Sequence, residues 1–213
     1  MKLRNIGKTL FFLSSLILII TACNNAKDTK DTKPKDTIVR TKVKVEQKEV
    51  ANRAPVINIS DTLSIRHLVM CMKDSAGTSD RISMKLGEIY SVKLAAIIKK
   101  NGLKITGAPM AWYKSQKAPF FFEAGLPIDK KPKKIPAGVT FKQIGIDSVT
   151  VAHFYGPYKL TTQAYTALQE ILKERKKKII LPPYEIYIDD AMDKNGKLKD
   201  PYKIQTDIVF TWK

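Results

Sequence analysis

An internal repeat constrains the fold of this 213-residue chain more than any other feature of its sequence. A shift of 74 residues brings identical or closely similar residue types into register in two segments. Self-similarity at a fixed period indicates that one supersecondary unit occurs more than once. The matched positions are Leu86 and Leu160, Leu94 and Leu168, Ile97 and Ile171, Ile98 and Leu172, Ile105 and Ile179, Pro109 and Pro183, and Tyr113 and Tyr187.

Each copy carries an amphipathic helix between strand-like runs. Apolar residues recur at helical spacing from Ile82 to Ile98 in the first copy and from Leu160 to Leu172 in the second. The predicted strands are 63–72, 108–113 and 120–123 in the first copy, and 148–155, 184–189 and 204–212 in the second. We therefore expect an α+β fold made of a tandem strand-helix-strand-strand repeat. Its two pseudo-twofold-related halves would each have an antiparallel sheet with one helix, and a ligand cleft would lie between them.

The repeat lies within a single predicted domain, residues 54–213, with halves at about 59–128 and 139–213. In front of it, residues 1–22 have the basic start and short apolar run of an export signal. Because Cys23 follows at the cleavage point, the segment resembles a bacterial lipoprotein signal, and we predict lipidation of Cys23. A plain signal peptide with an incidental cysteine and an uncleaved anchor are the alternatives.

The segment 23–53 is rich in Lys, Asp and Thr and poor in apolar residues, so we predict a disordered tether. Asn24 rather than aspartate follows the predicted lipidated cysteine. This choice favours the outer membrane, and we expect a chain exported to the bacterial cell envelope, lipid-anchored and facing the periplasm.

The formal net charge of +18 raises the question of a nucleic-acid partner. Three of the positive charges lie in the predicted signal, and two lysine-rich clusters occur at 130–134 and 175–178. An exported protein rarely meets nucleic acid and no DNA-reading helix pair is evident, so we predict no nucleic-acid partner. Attraction to anionic lipid or lipopolysaccharide and an ordinary solvated lysine surface both remain open.

Cysteine and histidine are too few to indicate a metal site. Besides Cys23 the chain has only Cys71, which lies in an apolar run and suits a small buried hydrophobe. His67 and His153 are the only histidines. The spacing of these residues matches no known metal-ligand pattern, so we predict neither a metal nor another cofactor.

A short predicted strand near the end of the second copy carries the main functional signal. Alternation along this strand places Glu185 and Tyr187 on one face. Under the 74-residue shift Tyr187 corresponds to Tyr113, whereas Glu185 corresponds to Ala111. A carboxylate that breaks a shared pattern is typical of a functional site, and beside an aromatic ring it suits a cationic guest. Ordinary solvent-exposed surface is the alternative.

The globular part, from about Ile59 to Lys213, resembles the GyrI-like small-molecule-binding domain, the effector-binding domain of AraC-type and multidrug-sensing regulators. The order and spacing of several short motifs carry this resemblance. The motifs are 153–158, Ala164-Tyr165 with Leu168, 183–187 and 206–208 in the second copy, and Gly102-Leu103, 107–109, Tyr113 and 122–128 in the first.

The resemblance implies a central cavity in which a buried glutamate, stacked by aromatic rings, pairs with cationic or lipophilic ligands. Glu185 matches that glutamate, and Tyr158 matches a tyrosine of the family motif. Tyr187 and its repeat mate Tyr113 complete the predicted ligand-binding set, together with Phe121 from the aromatic run 120–122. Trp112 falls on the opposite strand face and is expected in the core.

The sequence thus predicts a membrane-tethered protein that binds a small molecule, with an enzymatic role uncertain and less expected than binding. One alternative is a small-molecule hydrolase in which the pocket glutamate acts as general base. A protein-interaction or envelope-structural role is a second alternative, and haem binding, known for a related fold, is a third. No Ser-His or Cys-His pair is recognisable in the sequence, and His153 has no evident partner.

Overall fold

The computed structural model of the protein describes residues 53–213. The predicted signal peptide, the predicted lipidation at Cys23 and the predicted tether up to residue 52 lie outside the described residues. The strands of the described part are β1 (Val56–Leu63), β2 (His67–Ala76), β3 (Met110–Tyr113), β4 (Phe120–Ile128), β5 (Val139–Ile144), β6 (Ser148–Tyr155), β7 (Tyr184–Tyr187) and β8 (Gln205–Thr211).

Each copy of the repeat contributes one helical run. The first consists of α1 (Ser79–Gly87), a π-helical segment (Glu88–Leu94) and α2 (Ala95–Lys100), and the second is α3 (Thr161–Glu174). A 3-10 turn, Tyr158–Leu160, leads into α3, and another, Pro201–Lys203, precedes β8. Between residues 53 and 213 no helix has the length and apolar character needed to cross a membrane.

All the strands form one antiparallel sheet in the order β1-β6-β8-β7-β3-β4-β2-β5. The orders β2-β4-β3 and β6-β8-β7 are equivalent, which confirms the predicted strand-helix-strand-strand repeat and the α+β class. The halves join where β3 pairs with β7, so the two predicted sheets form one continuous sheet. β1 precedes β2 in the chain but pairs with β6 of the second copy. β5 precedes β6 in the chain but pairs with β2 of the first copy. Each copy is therefore flanked by an outer strand that comes just before the other copy in the sequence.

The predicted strand 63–72 has the wrong boundaries. The chain leaves β1 at Leu63 and re-enters the sheet at His67, and Ser64 in the intervening turn donates its backbone N–H to the Asp147 carbonyl (2.9 Å). β1 and β5 were not predicted as strands. Only Ile57 and Ile59 mark the buried face of β1, and β5 has too few alternating apolar residues to indicate a strand.

The helices cover one face of the sheet. Ile89 and Leu94 of the first helical run pack on Phe122, and Leu168 of α3 packs on Phe154. Ile89 and Leu94 lie five residues apart, a spacing that suits the i→i+5 pattern of the π-helical segment.

The central part of the other sheet face is buried by the sheet itself. Val69 of β2 and Val151 of β6 belong to one apolar cluster although their strands lie near opposite ends of the sheet, so the sheet is strongly curved. Trp112 packs against Tyr184 in this cluster (ring centroids 5.6 Å apart), as expected for a core residue. Cys71 is a fully buried free thiol, and burial raises its pKa to about 12.

Candidate functional site

The pseudo-twofold axis of the repeat passes through the junction of β3 and β7. Ala111 and Glu185 are repeat mates under the 74-residue shift, and they are also direct cross-strand partners in this ladder. The hydroxyl groups of the next pair of mates on the same face, Tyr113 and Tyr187, lie 2.9 Å apart and share a hydrogen bond. The carboxylate that breaks the repeat therefore stands on the symmetry axis itself.

Glu185 is completely buried, and phenol hydroxyl groups satisfy its carboxylate. Tyr158 and Tyr187 donate to Oε2, each at 2.8 Å, and Tyr165 donates to Oε1 at 2.9 Å. Because Tyr187 donates to Glu185, its oxygen accepts the hydrogen bond from Tyr113. We refer to Tyr113, Tyr158, Tyr165 and Tyr187 as the tyrosine cluster.

Three different elements bring these phenols to one carboxylate. Tyr187 lies two residues beyond Glu185 on the same face of β7, as strand alternation requires. Tyr158 begins the 3-10 turn before α3, and Tyr165 lies on the buried face of α3. The donor arrangement is thus built by the second copy of the repeat, because the positions that correspond to Tyr158 and Tyr165 in the first copy are Met84 and Ser91.

Burial raises the pKa of Glu185 above its ordinary value, and the three phenol hydrogen bonds oppose this shift only in part. The same burial raises the pKa of each phenol in the tyrosine cluster, and the nearby Glu185 carboxylate raises it further. The tyrosines therefore stay neutral donors, and the carboxylate lies in a region where a negative charge is poorly stabilised.

A cavity of about 390 Å³, which we call the main cavity, opens beside the tyrosine cluster. Tyr158 and Tyr187 form part of its wall together with Tyr90, whose ring centroid lies 6.2 Å from that of Tyr187. Tyr90 belongs to the π-helical segment and donates to the Met110 carbonyl oxygen (2.8 Å). The remaining residues that line the main cavity are Ser83, Leu86, Gly87, Pro109, Gly156, Asp189, Asp190, Ala191, Leu198, Lys199, Pro201, Ile204 and Thr206.

Two further cavities adjoin the tyrosine cluster. One, of about 480 Å³, is lined by Tyr113 and Tyr165 together with Trp112 and Lys142. The other, of about 60 Å³, lies between the first turns of α1 and α3 and includes Tyr113 and Tyr158 in its wall. Glu185 lines none of the three cavities, because the phenols stand between its carboxylate and the open space.

The structure gathers Glu185, Tyr187, Tyr158 and Tyr113 as the sequence indicated. Phe121 does not join them, because it is about half exposed (51%) and lines none of the three cavities. Its neighbour Phe122 packs against Tyr113 instead, with ring centroids 5.7 Å apart.

Sequence reasoning missed Tyr165 and Tyr90 as site residues. Tyr165 is buried on α3 and Tyr90 is partly buried on the first helical run, and an aromatic residue on the core-facing side of a helix ordinarily indicates core packing. The hydroxyl group was the available signal, because a buried tyrosine requires a hydrogen-bond partner. Among residues 53–213 no group of three or more His, Cys, Asp or Glu side chains is arranged to hold a metal ion.

The described fold is similar to that of EcmrR. The crystal structure of the EcmrR C-terminal domain matches with a TM-score of 0.59 and 18% identity over 74% of this chain and 98% of that domain. The structure of the EcmrR–DNA complex matches with a TM-score of 0.61 and 17% identity, and this chain spans 57% of the EcmrR chain there. No protein-family model and no curated protein matches the sequence. At these identities the similarity concerns the fold.

Proposed function

We propose that the protein is a membrane-tethered small-molecule-binding protein of the bacterial envelope, and that its main cavity takes a cationic or amphipathic aromatic ligand. The observation that carries this proposal is a fully buried glutamate behind a wall of tyrosine rings at the edge of a mainly apolar cavity. A buried carboxylate whose hydrogen bonds do not offset its burial is stabilised by an approaching cation.

The aromatic wall adds to this attraction. A cation over a tyrosine ring gains about 0.5–2 kcal/mol. Tyr90, Tyr158 and Tyr187 all face the main cavity, and centroids of adjacent rings lie 6.2 and 6.5 Å apart. A flat aromatic ligand can contact more than one of these rings, and its positive charge would then lie near the Glu185 carboxylate that Tyr158 and Tyr187 cover.

The cavity lining also favours a cation. Asp189 and Asp190 line the main cavity and are exposed, and Lys199 is the one lysine among its described lining residues. Asp189 is held in place by the Gln205 backbone N–H (2.9 Å). Although the chain as a whole is strongly basic, this region carries carboxylates that can attract a cationic ligand.

The similarity to EcmrR is one of fold and does not identify a ligand. The match spans nearly all of the EcmrR C-terminal domain and 57% of the EcmrR chain in the DNA complex, and our proposal names no DNA partner. The membrane part of the proposal rests on the lipoprotein-like signal and Cys23. Hydrolysis by Glu185 is a weaker alternative, because both carboxylate oxygens already accept phenol hydrogen bonds and no surface of Glu185 is exposed.

The test is a titration of a cationic aromatic dye, rhodamine 6G, by fluorescence polarisation. Glu185→Gln keeps the size of the side chain and one acceptor oxygen but removes the charge, and we expect it to weaken binding about 10-fold or more, which corresponds to about 1.4 kcal/mol. Glu88→Gln is the matched control, because Glu88 is an exposed acid of the π-helical segment that pairs with Lys93. Equal affinities of wild type and Glu185→Gln would exclude the proposed role of the carboxylate.

A further inference from the structure

Three polar side chains are aligned on the sheet face that points away from the helices. His153 of β6 contacts Asp207 of β8 through Nδ1 (2.8 Å to Oδ1) and Ser60 of β1 through Nε2 (3.0 Å to Oγ). Ile57 and Ile59 of β1 pack on the α3 side, so alternation puts Ser60 on the opposite face. The three strands are direct neighbours in the sheet, which fixes the order serine, histidine, aspartate.

The hydrogen bonds determine the direction in which protons can move. A carboxylate only accepts, so the tautomer that hydrogen-bonds Asp207 carries its ring proton on Nδ1, and in that tautomer the lone pair of Nε2 faces the Ser60 hydroxyl. Gln205 Nε2 donates to the same Asp207 oxygen (2.7 Å), and Tyr155 donates to Gln205 Oε1 (2.6 Å), which fixes the amide in that orientation. The imidazole is thus held as a base directed at the serine.

Solvent exposure decreases from Ser60 through His153 to Asp207, and we refer to these three residues as the row. This gradient is what a nucleophile at the protein surface requires. Ser60 is exposed, the His153 side chain is 32% exposed and the Asp207 side chain 13%. The serine is therefore open to a reactant, while the aspartate that orients the histidine is largely shielded from water. This row lies apart from Glu185, which is on the helix side of the sheet, and none of its members lines the three cavities.

We propose that Ser60, His153 and Asp207 form a second functional site, in which Ser60 is a nucleophile toward small activated acyl esters. Ser60 Oγ would bond to the ester carbonyl carbon while its proton passes to His153 Nε2. That proton then leaves with the alcohol as the ester C–O bond breaks. Water, deprotonated by His153, releases the carboxylic acid and restores Ser60. Asp207 acts as a positioning residue for the histidine.

An ester also needs a donor for the developing oxyanion. Asn58 lies two residues before Ser60 on the same face and is the cross-strand partner of His153, so its side-chain amide is available for that role. No cavity among those described encloses Ser60, and the reactant we infer is accordingly a small ester that reacts at an open surface.

The test uses the full-length chain and a fluorophosphonate probe, which forms an oxygen–phosphorus bond with an activated serine and releases fluoride. Peptide mass spectrometry then gives the rate of modification at each serine. We expect Ser60 to react at least 10-fold faster than any other serine of the chain. His153→Gln should lower that rate about 100-fold and Asp207→Asn by a comparable factor, since a positioned base contributes about 10²–10⁴-fold. Turnover of p-nitrophenyl acetate should follow the same order.

Thr62→Ala is the matched control, because Thr62 lies on the same face of β1 two residues beyond Ser60, outside the row. This variant should leave the Ser60 rate unchanged, and circular dichroism melting checks that each variant is folded. A Ser60 rate no higher than that of the other serines would overturn the proposal. So would fast modification of Ser60 that persists in folded His153→Gln.

Discussion

The buried carboxylate makes a quantitative prediction about stability and pH. The pKa of Glu185 is raised in the folded protein from an ordinary value of 4.5, while in the unfolded chain it returns to that value. Between these two pKa values the folded state holds one proton that the unfolded state has lost. The free energy of unfolding must therefore fall as pH rises through this window, with a limiting slope of about 1.4 kcal/mol per pH unit for one proton.

The structure bears on why the pH range in which stability falls lies above pH 4.5, the ordinary pKa of Glu185, rather than below it. Three phenol hydrogen bonds to a charged group are worth about 1.5–3 kcal/mol each. The idealised free energy of moving one carboxylate from water into a dry interior is of order 20 kcal/mol, and several kcal/mol remain after relaxation. After relaxation the two effects are of similar size, and the raised pKa of Glu185 indicates that burial prevails. The contribution of Glu185 to stability is therefore fully present below pH 4.5 and is lost as pH rises through the folded-state pKa.

Urea unfolding at intervals from pH 4 to 8 measures this effect. Glu185→Gln resembles the protonated side chain and can keep all three phenols hydrogen-bonded, so its stability relative to wild type should increase with pH. Tyr165→Phe provides an independent check, because it removes the hydrogen bond to Oε1 and should extend the fall in stability to higher pH. If the difference between wild type and Glu185→Gln does not change with pH, or changes in the opposite direction, the assigned direction of the pKa shift is wrong.

Two further predictions concern the anchor and the asymmetry of the site. Cys23→Ser should move the expressed chain from the membrane fraction to the soluble fraction, and retention in the membrane would contradict the lipid anchor. The double variant Glu185→Ala with Ala111→Glu moves the carboxylate to the equivalent place in the first copy, where two of its three phenol donors have no counterpart. It should lose about 3–6 kcal/mol of unfolding free energy in urea titrations, and wild-type stability of this variant would contradict the role given to those donors.

The repeat could be predicted from the sequence because it is visible in the spacing of apolar residues along each segment. That spacing depends only on residues that are close together in the chain. The same shift singled out Tyr113, Tyr187 and the unmatched Glu185, because all three follow from one strand pattern. The outer strands β1 and β5 could not be predicted, because each is stabilised by pairing with the other copy rather than by its own residue pattern. Long-range pairing of this kind leaves little trace in a local window.

The site was predicted in part for a related reason. Strand alternation places Tyr187 beside Glu185, but nothing in the sequence indicates that Tyr165, on a helix 20 residues away, donates to the same carboxylate. His153 likewise had no evident partner, because Ser60 lies 93 residues and Asp207 54 residues from it along the chain. Contacts between distant elements became visible only when the sheet order was known.

The symmetry of the fold itself accounts for the asymmetry of the site. Cross-strand partners in an antiparallel sheet have Cβ atoms about 4.5–5.5 Å apart, so carboxylates at both 111 and 185 would face each other in a buried environment. Two like charges at that distance cannot both remain ionised without a large loss of stability. A duplicated fold of this kind can therefore hold one glutamate on its axis, and the opposite position must be small, as Ala111 is. The second copy then supplies the phenol donors, while the first copy, through Tyr90 and the π-helical segment, supplies a wall of the main cavity.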